Sequence, residues 1–295
     1  MKWDDKGPSE DLEDRRGEST GGGGGFRLGG GRLGIGGFLV LLVLSVVFKT
    51  DLTGALGGGG GAAQMPLPGA DPTSGLALPP KQSSAEEEKL VKFVSFILDD
   101  AQDNWAKVFE ASNARYTRAR LVLFRNQVET GCGGAQSASG PFYCPADQKV
   151  YIDLGFYDEL RRRFGAPGDF AQAYVLTHEI GHHIQNLTGT EAKMRELQQR
   201  NPGARNELSV RLELQADCYA GIWGKHAQQA GRLEDGDVDE ALKAASAVGD
   251  DRISAMQGSS IRPESFTHGS AAQRTTWFRR GFDSGRIDAC DTFAQ

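Results

Sequence analysis

The sequence lacks several features that would assign the chain to a large class of proteins. It has no basic block: 33 Lys and Arg stand against 39 Asp and Glu, for a formal net charge of −6 and a pI near 5.5. Nucleic-acid-binding domains usually have a basic patch and a pI above about 9, so nucleic acid is not an expected partner. The four cysteines include no Cys-x-x-Cys pair, which argues against a structural zinc site. No internal repeat is visible.

Glycine is unevenly distributed and separates an N-terminal part from a globular remainder. Residues 1–32 mix both charges with Gly, Ser and Pro and show no apolar period, which predicts a disordered cytoplasmic tail. Residues 49–84 are rich in Gly, Ala and Pro and predict a flexible tether. Residues 85–295 have the composition of an ordinary globular domain and are enough for one core.

An uncharged apolar run, Leu33–Phe48, lies between the tail and the tether. At about 1.5 Å per residue it is roughly 24 Å long as a helix, somewhat short of a hydrocarbon core of about 30 Å. We expect one transmembrane anchor at 33–48, with a buried core helix and a cleaved signal peptide as alternatives. Arg27 and Arg32 precede the run and only Lys49 follows closely, so the positive-inside rule predicts a cytoplasmic N-terminus and an extracytoplasmic domain on a bacterial cell membrane.

Hydrophobic periodicity after the tether predicts an α+β domain that is mainly helical with a small sheet. Capping residues and apolar spacing give the expected helices and strands. The expected helices cover about Ala85–Ala111, Phe170–Leu187, Asn206–Gln229 and Asp237–Gly249, with another starting at Ser270, and the expected strands are Arg120–Phe124 and Lys149–Leu154.

The motif His178-Glu179-Ile180-Gly181-His182 carries the strongest chemical signal. Residues four apart on a helix share a face, so His178 and His182 can ligate one Zn²⁺. Glu179 lies beside them, where it can take a proton from zinc-activated water and return it to the leaving amine. An accidental match is disfavoured because the helix is otherwise apolar, and buried polar side chains need partners.

A catalytic zinc needs a third protein ligand. The chain has Gln185 and Thr188 where the metzincin extension requires Gly and His, so that solution fails. A glutamate from a later helix is the other solution, and Glu213 is favoured because Asp217 follows four residues on within an apolar stretch. If Glu213 binds zinc, Asp217 can accept the free N–H of a ligand histidine. The alternative is that both carboxylates pair with arginines such as Arg211 on an exposed face. The other available glutamates are Glu191, Glu196 and Glu207.

The motifs resemble the bacterial family described as putative neutral zinc metallopeptidases. The resemblance rests on HEIGHHIQN at 178–186, LELQADCYAGIW at 212–223, GPFYCPADQKVYIDLGFY at 140–157, GDDRI at 249–253 and ESFTHGSAAQRTTWFRRGF at 264–282. It implies a zincin-like HExxH peptidase with a glutamate as third ligand, similar to gluzincins such as thermolysin. By the same likeness, His268 could donate to a developing oxyanion, although a turn histidine without a catalytic role is the alternative.

The cysteines can pair in three ways. In an oxidising compartment we favour Cys132–Cys144, which flank a Gly/Ser-rich loop, and Cys218–Cys290, which would hold the C-terminal tail on the Glu213 helix. Buried free thiols are the alternative.

The sequence as a whole predicts a membrane-anchored zinc peptidase, of the endopeptidase type, that acts on peptides or proteins. A membrane-tethered zinc-binding scaffold or binding protein without hydrolytic activity is the main alternative, and hydrolysis of a non-peptide amide is a third. Glu179 argues against a scaffold, because a purely structural zinc site does not need that carboxylate. Substrate, cleavage specificity, oligomeric state and regulation are left open.

Overall fold

Two short strands, each with a continuous run of buried residues, form the centre of a four-stranded sheet. The structure, a computed structural model, describes residues 1–18, 83–137 and 140–294. Among these residues the sheet order is β1-β2-β6-β5, in which β1, β2 and β6 are parallel and β5 is antiparallel, and β3 with β4 forms a separate hairpin. The strands are β1 Leu12–Asp14, β2 Arg120–Phe124, β3 Gln127–Thr130, β4 Gly133–Gln136, β5 Phe142–Cys144 and β6 Lys149–Asp153.

Eight α-helices lie within the described residues and make the domain mainly helical, as predicted. They are α1 Ala85–Ala111, α2 Gly155–Arg162, α3 Asp169–Leu187, α4 Thr190–Arg200, α5 Arg205–Gln229, α6 Asp237–Ala247, α7 Asp250–Met256 and α8 Ala271–Ser284. Ser84 caps α1 by accepting from the backbone N–H of Glu87 at 3.1 Å. Ser270 and Gln273 form the predicted capping box of α8.

The two faces of the sheet are buried differently because successive side chains of a strand point to opposite sides. The face that carries Leu121, Leu123, Val150 and Ile152 packs into the main core with the helices. The opposite face carries Val122, Phe124 and Tyr151, which form a smaller cluster with Val128 of the hairpin. Helix α3 therefore lies in the main core, with the sheet beside it.

Glycine allows the helices that carry the predicted chemistry to approach closely. A Cβ on Gly181, at the middle of α3, would lie 3.0 Å from the Cα and the carbonyl oxygen of Ala216 in α5. A Cβ on Gly281, in α8, would overlap the carbonyl oxygen of Cys218 in α5. Because neither glycine has a side chain, α5 packs directly between α3 and α8.

The prediction of a disordered tail is wrong for residues 1–18. Residues Leu12–Asp14 form β1, which pairs in parallel with β2 so that Leu12 is opposite Leu121. Met1 is only 7% exposed and Arg16 only 9%. The segment has too few apolar residues to show a period in sequence, and it is ordered by pairing with partners that lie more than seventy residues later in the chain.

The predicted membrane anchor belongs to the part of the chain that the structure does not describe. The run 33–48, the rest of the tail from residue 19 and the tether up to residue 82 lie outside the described residues. Within the described ranges, no helix is both long and apolar enough to cross a bilayer.

Candidate metal centre

The structure brings the three predicted metal ligands together between α3 and α5. Their potential ligand atoms lie within 4.8 Å of one another. The Nε2 atom of His178 is 3.2 Å from Oε2 of Glu213, and Nε2 of His182 is 3.5 Å from Oε1 of the same carboxylate. The two imidazole rings are perpendicular, with centroids 4.8 Å apart. Two imidazole nitrogens and one carboxylate are a donor set used by catalytic zinc sites.

Asp217 lies directly behind His178, one helical turn after Glu213. The Nδ1–H of His178 donates to Oδ1 of Asp217 at 2.9 Å. Since a carboxylate only accepts, this bond places a proton on Nδ1 and turns Nε2 towards Glu213. Asp217 has no exposed surface, so the bond is shielded from water.

A buried arginine and a tyrosine complete the surroundings of Asp217. Arg274, on α8, donates from Nε to Oδ2 at 2.8 Å and from Nη2 to Oδ1 at 2.9 Å. The hydroxyl of Tyr174, on α3, donates to Oδ1 of Asp217 at 2.6 Å. Burial opposes the ionisation of Asp217, but Arg274 and His178 outweigh it and lower the pKa of this carboxyl. Asp217 therefore stays charged in the interior.

His182 is oriented by an amide rather than a carboxylate. Its Nδ1–H donates to Oε1 of Gln185 at 2.8 Å, and the amide nitrogen of Gln185 donates to the carbonyl oxygen of Leu212 at 2.7 Å. The second bond fixes the amide so that its oxygen faces His182. Gln185 occupies the position at which the metzincin pattern requires glycine.

The ionisation of these groups favours a bound cation. Burial opposes a charge on His178, but Asp217 and Glu213 outweigh it and raise the pKa of His178 to about 10. Burial likewise opposes the ionisation of Glu213, but His182, His178 and His268 lower its pKa. Protons and metal ions compete for the same imidazole nitrogens, so carboxylates that attract a proton also attract a divalent metal. The three residues fit zinc.

Glu179 is buried next to the ligands, at 8% exposure. Burial raises its pKa above the usual range, while His182 and His178 act in the opposite direction. A carboxyl with a raised pKa is suited to accept a proton and release it again near neutral pH.

His268 lies close enough to the cluster for Glu213 to affect its pKa. Burial lowers the pKa of His268, but a hydrogen bond with Asp250 and the charge of Glu213 outweigh burial and raise it. The Nδ1–H of His268 donates to Oδ1 of Asp250 at 3.1 Å, and Oδ2 of Asp250 accepts the backbone N–H of His268 at 2.7 Å. Asp250 thus fixes both the ring and the backbone of His268.

Tyr157, on α2, adds a group that sequence reasoning did not single out. Its buried hydroxyl has no hydrogen-bond partner among the described residues. Burial, together with the charge of Glu179, raises the pKa of Tyr157. A buried hydroxyl without a partner is unusual in native proteins.

One further buried histidine and one further cluster of carboxylates make structural contacts away from the metal ligands. His183 is buried and donates from Nε2 to the carbonyl oxygen of Thr117 at 2.7 Å. A second acidic cluster, formed by Asp169, Asp237 and Glu240, lies at the amino group of Met1, which is 2.7 Å from Oδ1 of Asp169. The ammonium group thus offsets part of the negative charge of this second cluster.

Strand β6, which carries Tyr151, is a central strand of the sheet, so it has no free edge along which a peptide substrate could lie. Strand β6 is paired on both sides, with β2 and with β5. Tyr151 is 1% exposed, and its ring stacks on Phe142 at 5.0 Å. The free edge on this side of the sheet belongs to β5.

Both favoured disulfides are present, and the alternative of free thiols is wrong. Cys132 is bonded to Cys144 and Cys218 to Cys290, which leaves no free cysteine. The second bond holds the chain after α8 on α5. There Gln215 donates to the carbonyl oxygen of Cys290 at 3.0 Å.

Sequence reasoning missed Arg274, Gln185 and Asp250 as supports of the site. Arg274 and Asp250 lie in segments quoted for the family resemblance, but nothing in their spacing ties them to the HExxH helix. Gln185 could have been predicted as a partner of His182, because it lies one turn later on the same face of the helix.

Comparisons with known proteins agree with the geometry. A family model described as "Putative neutral zinc metallopeptidase" matches residues 1–293, which confirms the resemblance. The uncharacterized protein YpfJ of Escherichia coli is 46% identical over 301 aligned residues, covering 100% of this chain and 99% of the relative. The uncharacterized protein Rv2575 of Mycobacterium tuberculosis is 46% identical over 190 residues, covering 61% of this chain and 64% of the relative. No solved structure gives a match.

Proposed function

The chain belongs to the putative neutral zinc metallopeptidase family, and on that premise we propose that it is a zinc-dependent endopeptidase. His178, His182 and Glu213 hold the metal, and Glu179 is the general base. The observation that carries the proposal is the convergence of the three ligand atoms within 4.8 Å, with Glu179 buried beside them. Zinc usually takes four ligands, so a three-residue set leaves one position for water or substrate.

The roles of the residues follow from their positions. Zinc, when bound, supplies the Lewis acidity that polarises the scissile carbonyl and acidifies a water molecule. Glu179 takes the proton of the attacking water and passes it to the leaving amine, which its raised pKa allows. His268, held by Asp250, donates a hydrogen bond to the oxyanion that develops on the scissile carbonyl. Asp217 keeps the Nε2 of His178 turned towards Glu213.

We also propose that the catalytic domain acts outside the cytoplasm of a bacterial cell and associates with its membrane. Two disulfides support the compartment, because disulfides persist in oxidising surroundings and are rare in the cytosol. Membrane association rests on the apolar run 33–48 of the sequence alone.

The experiment that tests the function replaces Glu179 by glutamine in the purified full chain. The amide is nearly isosteric but cannot accept the proton, so cleavage of denatured casein should fall at least about 10²- to 10⁴-fold while bound zinc stays at one per chain. His178→Ala, the matched control, should lose zinc and activity together. Zinc is measured on the same samples by elemental analysis. If Glu179→Gln cleaves casein as fast as the parent, Glu179 is not the base, and the cleavage comes either from another base or from a contaminating protease. In the second case a non-hydrolytic zinc-binding scaffold is the better description.

The third ligand has its own test. Glu213→Ala should sharply lower zinc occupancy, because it removes the only carboxylate within the described cluster. Replacement of Glu207, an exposed glutamate on the same helix that pairs with Arg211, should leave zinc binding unchanged. Full, tight occupancy in Glu213→Ala would assign the third position to another residue.

A further inference from the structure

The first eighteen residues, termed here the N-terminal segment (residues 1–18), are built into the catalytic domain. Strand β1 extends the sheet beyond β2, and the pairing continues at both ends. The backbone N–H of Leu121 donates to the carbonyl oxygen of Asp11 at 2.9 Å, and that of Arg15 donates to the carbonyl oxygen of Leu123 at 2.8 Å. Without this segment, β2 would be paired only with β6 and would be an edge strand of the sheet.

Apolar and charged side chains hold the N-terminal segment along its length. The ring of Trp3 packs on Phe93 of α1, with centroids 5.6 Å apart. Lys149 of β6 contacts both carboxylate oxygens of Glu13, at 2.8 and 2.9 Å. Contacts of this kind on α1, β2 and β6 make the segment part of the core rather than a surface appendage.

The end of the N-terminal segment lies next to the start of α1. The guanidinium of Arg16 is 3.1 Å from the carboxylate of Glu87 and 3.1 Å from that of Glu88, both in the first turn of α1. Arg16 is 9% exposed, so it is held among these carboxylates inside the protein surface. The chain that leaves at residue 18 and the chain that returns at residue 83 therefore meet at one place on the domain.

We infer that the N-terminal segment docks on the catalytic domain on the same side of the membrane as the zinc site. One membrane crossing between residues 18 and 83 would separate Arg16 from Glu88 by a hydrocarbon core of about 30 Å, whereas the two side chains form an ion pair at 3.1 Å. A single membrane crossing between the two residues is therefore incompatible with the docked N-terminal segment. The cytoplasmic N-terminus expected from Arg27 and Arg32 is replaced by one that shares the compartment of the disulfides.

Cysteine cross-linking in cells tests the inference on the full chain. Asp5 and Lys92 form an exposed pair with Oδ2 and Nζ 2.8 Å apart, and all four native cysteines are bonded. The variant Asp5→Cys/Lys92→Cys, with a protease site inserted in the Gly57–Gly61 tract, is treated in spheroplasts with a short bismaleimide that cannot cross membranes. After cleavage at the inserted site, a cross-link keeps the two fragments together on a denaturing gel. Each single-cysteine variant serves as the control for non-specific joining.

We expect the impermeant reagent to join most of the fragments. If only a membrane-permeant bismaleimide joins them, docking and the shared side are supported, but the proposed extracytoplasmic location is overturned. If neither reagent joins them, although each single cysteine reacts with a permeant maleimide label, the segment is not docked and the inference is overturned. Peptidase activity does not enter this test, so its outcome is independent of the proposed catalysis.

Discussion

Replacing Asp217 by asparagine removes one negative charge from the buried group behind His178. The parent carboxylate accepts from the imidazole of His178, from the hydroxyl of Tyr174 and twice from Arg274. The asparagine amide has one oxygen to accept with, and its NH₂ group must face a donor. The substitution keeps the volume of the side chain and removes the carboxylate that pairs with Arg274, which is buried at 4% exposure.

Two effects follow, and their magnitudes differ. Breaking a buried charge pair from one side costs about 3–5 kcal/mol of unfolding free energy. Loss of the acceptor that orients a ligand histidine weakens metal affinity about 10- to 100-fold, which corresponds to roughly 1.4–2.7 kcal/mol. Asp217→Asn should therefore be strongly destabilised without metal and should also bind zinc more weakly.

Urea unfolding separates the two effects when it is measured in chelator and again at a fixed free zinc concentration. Zinc affinity is obtained by competition with a chromogenic chelator. The matched control is Glu207→Gln, on the same helix, whose partner Arg211 lies on the surface; it should cost at most about 1 kcal/mol and leave zinc affinity unchanged. In the double variant Asp217→Asn/Arg274→Gln, part of the lost stability should return, because the uncompensated charge is gone.

Asp217 has no role in the metal site if Asp217→Asn loses less than about 1 kcal/mol of unfolding free energy in chelator and binds zinc as tightly as the parent. The hydrogen bonds around Asp217 would then not support the metal site. A loss of stability with unchanged zinc affinity would support the stabilising pair of Asp217 with Arg274 but refute the role of Asp217 in orienting His178.

Three further predictions concern the neighbourhood of the site. Gly181→Ala places a Cβ 3.0 Å from the α5 backbone, so α5 should shift, urea unfolding should show a loss of about 1–3 kcal/mol from overpacking, and metal titration should show weaker zinc binding. An unchanged zinc affinity would contradict the shift of α5. Cys218→Ser/Cys290→Ser removes the disulfide that closes a loop with a sequence separation of 72, and the free energy of unfolding in urea should fall by about 4 kcal/mol. A loss below about 1 kcal/mol would show that this disulfide does not restrict the unfolded chain as expected. Asp250→Asn tests pH dependence. Folding lowers the pKa of Asp250, so this carboxylate stabilises the folded state above about pH 3.9, and the stabilisation is lost as the pH falls through its pKa in the folded state. Folding raises the pKa of His268, so this imidazole stabilises the folded state below about pH 6.5, and the stabilisation is lost as the pH rises through its pKa in the folded state. The stability advantage of the parent over Asp250→Asn in chelator should be largest between these two values, and a pH-independent difference would contradict the pairing.

Local spacing in the sequence anticipated most of the metal centre. Residues four apart on a helix share a face, so the HExxH spacing placed His178 beside His182, and the same rule placed Glu213 beside Asp217. The positions of helices α1, α3 and α5 were predicted to within one residue, because long apolar periods and capping residues mark them. The helices α2, α4 and α7 and the strands of three or four residues were not predicted, since these segments hold too few apolar residues to show a period.

Only the tertiary structure determines which residues surround the helix faces that carry His178, His182, Glu213 and Asp217. Arg274 reaches Asp217 across 57 positions of sequence, and this pairing depends on the close approach of α5 and α8 at Gly281, which no local pattern encodes. The N-terminal segment likewise depends on distant contacts. Its composition, with many charges and few apolar residues, is that of a disordered tail, and its order comes from contacts such as the ion pair between Arg16 and Glu88. Periodicity within a helix or strand reports which residues share a surface, because the backbone repeat fixes it. Which surface a segment packs on depends on contacts between distant parts of the chain, and only the folded chain determines those contacts.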